Sequence, residues 1–150
     1  MTLLTPELLA HVGNEGPERH EIATRRDIRK YSVSTGQVLR KYLDGDVAPP
    51  LFHIHLFWEV VELEELAPDG VFIDALIPQL PLEQAMAGGV ELEYFRPIYA
   101  GDELVATRTL SDLYEKEGRT GHLIFYATVM DIRTKTGKPV LRETTTRLVR

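Results

Sequence analysis

Apolar and polar residues alternate along the second half of the chain in four segments that are typical of β-strands. In the first segment, Val90, Leu92 and Tyr94 alternate with glutamates, so that one face is apolar and the other is largely acidic. Short turns that contain glycine separate the later segments, and strands joined by tight turns pair in an antiparallel manner. The pattern therefore predicts an antiparallel sheet with long strands at residues 90–96, 103–115, 122–134 and 139–149.

The most apolar segment of the chain is residues 51–66, which follow a pair of prolines and precede a Pro-Asp-Gly turn. This segment is longer than a usual strand, so the pattern predicts a helix. Its first two turns are apolar on nearly every side and its glutamates come later, which is typical of a buried helix. We therefore expect an α+β fold in which the antiparallel sheet wraps around a central buried helix.

Two threonines mark the starts of earlier helices. Thr5 precedes a proline and a glutamate, and Gly13 is a natural end for the helix that follows. Thr24 begins a second helix, which Gly36 ends. Two short strands are also expected, at residues 20–24 and 71–76.

Length and composition are those of an ordinary globular protein. The chain has 150 residues, 43% of them hydrophobic and 27% charged, which suits a single domain over residues 1–150. It has no cysteine, so disulfides, thiolate nucleophiles and Cys-ligated metals are excluded. No apolar run reaches the length of a membrane span, and the first residues do not resemble a secretion signal. We therefore expect a cytoplasmic protein with no membrane span.

The net charge of −6 argues against a nucleic-acid partner, because phosphates demand a basic surface. Positive charge is nevertheless concentrated locally. These clusters are either a solvated face or a small site for a phosphate-bearing ligand such as coenzyme A. The basic residues concerned are Arg25, Arg26, Arg29, Lys30, Arg40, Lys41, Lys116 and Arg119.

Four segments, in order and spacing, carry a resemblance to a known family. Residues 95–104 read as aromatic-Arg-Pro-x-x-x-Gly-Asp-x-Leu, and residues 47–52 read as Val-Ala-Pro-Pro-Leu-Phe. With the basic helix at 24–31 and the hairpin at 113–121, they resemble the MaoC-type acyl dehydratases and hydratases, and within them the fatty-acid-synthase-like dehydratase N-terminal half. The resemblance covers residues 21–150 and implies a single hot-dog domain.

The resemblance also shows which catalytic motifs this chain lacks. Active members of the family carry an Asp and a His in a D-x-N-P-x-H loop, where the pair moves protons through a bound water. They also carry an A-H-G sequence whose backbone N–H groups polarise the thioester carbonyl. Here, the loop between Gly36 and Val47 contains neither Asn-Pro nor His, and Ala48-Pro49-Pro50 replaces A-H-G. Because proline has no N–H, the second motif is also in doubt, and no catalytic residue is carried over.

The resemblance implies a role without chemistry. We expect the non-catalytic, substrate-shaping subunit of a heteromeric (R)-specific enoyl-CoA hydratase or 3-hydroxyacyl-thioester dehydratase. Its partner would be a catalytic MaoC-type hot-dog subunit, in a heterodimer or a dimer of heterodimers. The alternatives are a self-sufficient homodimeric hot-dog hydratase or thioesterase, and an acyl-thioester binding module without turnover. The substrate would be a thioester of coenzyme A or of acyl carrier protein, and no further cofactor is expected.

Candidate site residues come from the same segments. His53 and His55 point in opposite directions on a helix and cannot share one metal ion, so no metal site is predicted. His53 and Asp46 are weak alternatives as a displaced general base, although Asp46 lies in an ordinary Asp-Gly-Asp turn. Gly88 and Gly89 either let the backbone approach a ligand or form a bulge. The residues expected to bind substrate are Pro49, Phe52, Gly88, Gly89 and Arg96.

Overall fold

A five-stranded antiparallel sheet forms the core of the computed structural model, which describes residues 2–119 and 121–150. The strands are ordered β1-β3-β4-β5-β2 across the sheet, and each pairs in an antiparallel manner with its neighbours. This arrangement confirms the predicted α+β class. The strands are β1 (Arg19–Ile22), β2 (Ala85–Tyr94), β3 (Glu103–Gly118), β4 (Gly121–Thr134) and β5 (Pro139–Val149). Thr120, in the predicted turn after β3, lies outside the described residues.

The two predicted threonine caps are confirmed. The Thr5 side chain accepts a hydrogen bond from the Leu8 amide, and that of Thr24 accepts one from the Asp27 amide at 3.1 Å. None of the described helices has both the length and the apolar character needed to cross a membrane. The helices are α1 (Pro6–Leu9), α2 (Arg25–Ser34), α3 (Arg40–Leu43) and α4 (Phe52–Phe57), followed by a 3-10 turn at Leu63–Glu65.

The predicted helix at residues 51–66 is wrong in length, because α4 ends at Phe57. Arg19, on β1, donates to the Phe57 carbonyl oxygen at 3.1 Å and forms an ion pair with Glu59. These contacts draw the chain towards the sheet edge, and the β-branched valines that follow have little helix propensity. The segment after α4 is therefore mostly irregular.

The predicted strand at residues 71–76 is also wrong. It is reduced to a single bridge between Leu66 and Phe72. The edge of β3 that continues beyond β1 is already bonded to residues 13–16, since the N–H groups of Gly13 and Gly16 donate to the carbonyl oxygens of Leu110 and Arg108. That edge is therefore not open to residues 71–76.

The main core lies between α2, α4 and the sheet. Phe52 is 1% exposed and packs edge-to-face on Tyr31, with ring centroids 5.5 Å apart. Burial of a side chain of this size contributes about 1.5–3 kcal/mol. Although α4 is short, its buried side chains pack in the core cluster against the sheet, as expected for a central helix. The buried residues of this cluster include Ala23, Ile28, Phe57, Leu104, Ile132 and Leu141.

The strand β2 forms one edge of the sheet and is exposed along most of its length. Met86, Val90 and Tyr94 on this strand, and Phe95 after it, are each about half exposed. Val90 and Tyr94 alternate with glutamates along β2, as the sequence pattern predicts. An exposed edge that carries apolar side chains favours pairing with another chain.

Candidate functional site

An apolar cavity of about 350 Å³ lies where the chain between α3 and α4 meets the end of β2 and the start of β5. The α3 helix contributes Lys41 and Tyr42 to its rim. The prolines before α4 keep this connection extended, and it forms one wall of the cavity. The remaining walls come from Phe52 and His53 of α4, Ile98 after β2, and Val140 and Leu141 of β5.

The structure brings three of the five predicted substrate-binding residues to this apolar cavity. Pro49, Phe52 and Arg96 line it, together with the weak catalytic candidate His53. The other candidates lie elsewhere. Asp46 forms an exposed ion pair with Arg25, and the two glycines lie in β2.

Gly88 forms a bulge rather than a wall of the cavity. The pairing of β2 with β5 shifts register between Ala87 and Gly89. A Cβ atom on Gly88 would lie 2.8 Å from the backbone oxygen of Thr146, which is closer than real side chains come. The structure therefore shows a bulge at Gly88, and contact of Gly88 and Gly89 with substrate stays a prediction.

His53 forms a buried hydrogen bond that the sequence did not indicate. The ring is 1% exposed, and Nε2 lies 2.6 Å from Oε2 of Glu143 on β5. This hydrogen bond lowers the pKa of Glu143 below its usual value of 4.5, against the opposing effect of burial. Because an ionised carboxylate only accepts, Nε2 carries the proton and donates it.

One signal in the sequence could have identified Glu143. Side chains two apart in a strand share a face, so Glu143 lies on the same face of β5 as Leu141, which is 1% exposed. A glutamate on a buried face requires a partner. The sequence alone did not show which residue, ninety positions away, would supply it.

The backbone N–H at the start of α4 is already used within the chain. Leu51 adopts a left-handed conformation with φ 69° and donates its N–H to the Tyr94 hydroxyl oxygen at 3.2 Å. Pro49 and Pro50 have no N–H to offer. None of these three described residues therefore presents a free backbone donor to a carbonyl group in the apolar cavity.

Arg96 also has a partner within the chain. Its guanidinium donates to Oδ2 of Asp102 at 3.0 Å and lies over the Tyr99 ring, 5.3 Å from the centroid. Lys41 lies over the Tyr42 ring at 4.9 Å and forms no ion pair with any described residue. Lys41 is therefore the cation at the rim that is available to a ligand.

A second cavity of about 650 Å³, with both apolar and charged side chains in its walls, lies beside the irregular segment that follows α4. Arg108 on β3 bonds to Asp74 at 2.7 Å and lies 3.8 Å from Glu59. Arg19 pairs with the same Glu59, and burial lowers the pKa of Arg19. These four side chains neutralise one another and hold the segment against the sheet. No group of three or more His, Cys, Asp or Glu side chains in the described part of the chain is placed to hold a metal ion.

A family model described as the FAS1-like dehydratase domain region matches residues 10–143 of this chain. No curated protein sequence matches the chain significantly.

Several solved structures share the fold at low sequence identity. The ChsH1-ChsH2 complex from Mycobacterium tuberculosis matches with a TM-score of 0.68 and 16% identity, over 95% of this chain and 86% of that one. The R-hydratase PhaJ1 from Pseudomonas aeruginosa matches with a TM-score of 0.60 and 16% identity, over 92% and 81%. The HadBC (3R-hydroxyacyl-ACP dehydratase) complex from Mycobacterium tuberculosis matches with a TM-score of 0.56 and 14% identity, over 91% and 96%. The fold is the hot-dog fold that the resemblance implied.

Proposed function

Since the chain belongs to the family of FAS1-like dehydratase domain regions, we propose that it is the non-catalytic, substrate-shaping subunit of a heteromeric hydratase. The reaction would be (R)-specific hydration of an enoyl-CoA, or the dehydration of a 3-hydroxyacyl thioester. One observation carries the proposal: the apolar cavity is lined by polar groups that are nearly all bonded within the chain. The Leu51 N–H is bonded to Tyr94, and His53 to Glu143.

Such a cavity suits an acyl chain better than it suits proton transfer. General acid–base chemistry needs a group within hydrogen-bond reach of the reacting atom. Here, the Nε2 proton of His53 is already donated to Glu143. Each methylene that leaves water for the apolar walls contributes about 0.8 kcal/mol. A volume of about 350 Å³ lies within the range of small-molecule sites.

The exposed edge of the sheet supports a heteromeric assembly. Along β2, apolar side chains and unpaired backbone groups face outwards, and pairing with a second sheet would cover both. Two of the structural neighbours, ChsH1-ChsH2 and HadBC, are complexes of two named components. We infer that the partner is a catalytic MaoC-type hot-dog subunit that supplies the Asp and His missing here.

The first experiment compares the purified chain alone with the chain plus a catalytic subunit from a neighbouring reading frame that carries D-x-N-P-x-H and A-H-G. Hydration of enoyl-CoA is followed by loss of the absorbance of the conjugated thioester. We expect no turnover by the chain alone and turnover by the pair. Turnover by the chain alone would refute the non-catalytic role, and a pair no more active than the partner alone would refute the shaping role.

A variant that fills the apolar cavity tests the site itself. Ile98→Phe adds volume to its wall, so the pair should lose activity on long acyl chains and keep it on four-carbon substrates. The control is Leu9→Phe on α1, which makes a similar change outside the cavity. Equal loss on short and long substrates would contradict the placement of the acyl chain.

The buried His53–Glu143 pair favours a second candidate, a self-sufficient homodimeric hydratase or thioesterase. In that reading Glu143 orients His53, which acts as a base from the wall of the cavity. If the chain alone has activity, His53→Gln should abolish it while the protein remains folded. Thioester binding without turnover, even with the partner present, would instead indicate a binding module.

A further inference from the structure

Positive charge is concentrated on α2 and α3 of this acidic protein. Residues 25–41 contain six basic side chains and one acidic one, whereas the whole chain has a net charge of −6. The one acid, Asp27, bonds to Thr24 at the helix start, 2.6 Å from its hydroxyl oxygen. The concentration of charge is therefore not neutralised within the segment itself.

Part of this charge is neutralised by the turn that follows α3, and part is not. Arg25 pairs with Asp46, and Arg40 pairs with Asp44. In the described part of the chain, no ion pair involves the other three basic side chains of α2, which are all exposed. They are spaced i, i+3 and i+4, so they share one face of the helix. These residues are Arg26, Arg29 and Lys30.

Exposed aliphatic side chains lie on α2 and on its connection to α3. Val33 continues the same helical face and is 69% exposed, and Val38 and Leu39, just before α3, are 82% and 52% exposed. We call this surface, formed by Arg26, Arg29, Lys30, Val33, Val38 and Leu39, the basic face. Apolar side chains next to arginines are typical of surfaces that bind proteins, and they contribute nothing to the binding of a free phosphate.

The chain runs from the basic face directly to the apolar cavity. The α3 helix, which begins immediately after Leu39, also provides Lys41 and Tyr42 to the cavity rim. We propose that the basic face docks an acidic carrier protein, which presents the acyl chain to the cavity on a flexible, phosphate-linked arm. This inference rests on the proposed function, because it names the carrier of the thioester that the cavity would receive.

The geometry favours a carrier protein over free coenzyme A. A site for nucleotide phosphates gathers its donors around a small volume, as paired arginines or a cradle of backbone amides do. Here, the cations spread over the outer surfaces of two helices, and of the six only Lys41 lines the cavity. Spread charge of this kind steers and holds an extended acidic surface.

The experiment uses matched charge reversals. The double variant Arg26→Glu/Lys30→Glu alters the basic face, and the control Lys116→Glu/Lys138→Glu reverses two exposed lysines outside that face by the same charge. The probes are an octanoyl-loaded bacterial acyl carrier protein and octanoyl-CoA. Their affinity for the chain is measured directly at low and moderate salt, and thermal unfolding establishes that each variant is folded.

We expect the basic-face variant to bind the loaded carrier protein about tenfold more weakly, with a shallower salt dependence. Its affinity for octanoyl-CoA should stay within about twofold of the unaltered chain, and the control should bind both probes normally. Val38→Ser should also weaken carrier-protein binding, because it removes an exposed aliphatic contact.

Three results would overturn the inference. Equal weakening of both probes would mean that phosphate is recognised rather than a protein surface. Unchanged carrier-protein affinity would mean that the basic face is only solvated. Loss of assembly with the catalytic subunit would assign the face to the heteromer instead. Since binding is measured without turnover, these results are distinct from failure of the proposed function, which appears as turnover by the chain alone.

Discussion

The backbone of Leu51 gives a sharp test of the structure at the start of α4. Its φ of 69° and ψ of 0° are left-handed, and it is the one non-glycine residue of the described chain with positive φ. A side chain with a Cβ atom is destabilised in this conformation by about 1–2 kcal/mol, whereas glycine adopts it freely. Leu51→Gly should relieve this cost, and Leu51→Ala should retain it.

The difference between the two variants isolates the backbone effect. Both remove the same partly exposed side chain beyond Cβ, so they lose the same contacts. At an ordinary position glycine is less stable than alanine by about 0.5–1 kcal/mol, because its unfolded chain is freer. Set against about 1–2 kcal/mol of relieved strain, this cost leaves the glycine variant more stable by up to about 1.5 kcal/mol.

Urea unfolding with linear extrapolation measures this difference. We expect Leu51→Gly to unfold at a higher urea concentration than Leu51→Ala, with equal dependence on denaturant. An alanine variant more stable than the glycine variant would refute the reasoning, since it would mean that position 51 does not hold a left-handed backbone. The hydrogen bond from the Leu51 N–H to Tyr94 would then also need a different explanation.

Two further predictions concern β2 and the buried pair. Gly88→Ala should lose about 1–3 kcal/mol of unfolding free energy, since its Cβ would lie 2.8 Å from the Thr146 backbone oxygen. Gly89→Ala, with open space around its Cβ, should lose less, and equal melting temperatures would contradict the bulge. The pKa of Glu143 is lower in the folded chain than its ordinary value of 4.5. Its hydrogen bond to His53 therefore stabilises the fold at pH values above 4.5, and this stabilisation is lost as the pH falls through the lower pKa of the folded chain. We expect Glu143→Gln to be less stable than the unaltered chain by about 1–3 kcal/mol near neutral pH, and this difference should shrink in acid. A difference that stays constant with pH would disprove that the ionised Glu143 carboxylate stabilises the fold.

The sequence by itself determined the features that depend on neighbouring residues. The sequence pattern predicted both ends of β5, because successive side chains in a strand point to opposite faces of the sheet. The caps at Thr5 and Thr24 were predictable because each bond spans three residues. The family resemblance, and the motifs that the chain lacks, were likewise readable from short segments.

Contacts between distant residues decided the rest. Arg19 donates a hydrogen bond to the Phe57 carbonyl oxygen and forms an ion pair with Glu59. These bonds end α4 at Phe57, although the apolar sequence continues beyond it. The register of β2 against β5 sets the Gly88 bulge, and the position of β5 under α4 pairs Glu143 with His53. These partners lie dozens of residues apart in the chain. Local pattern carries no information about them, because only the packed sheet brings their atoms within bonding distance.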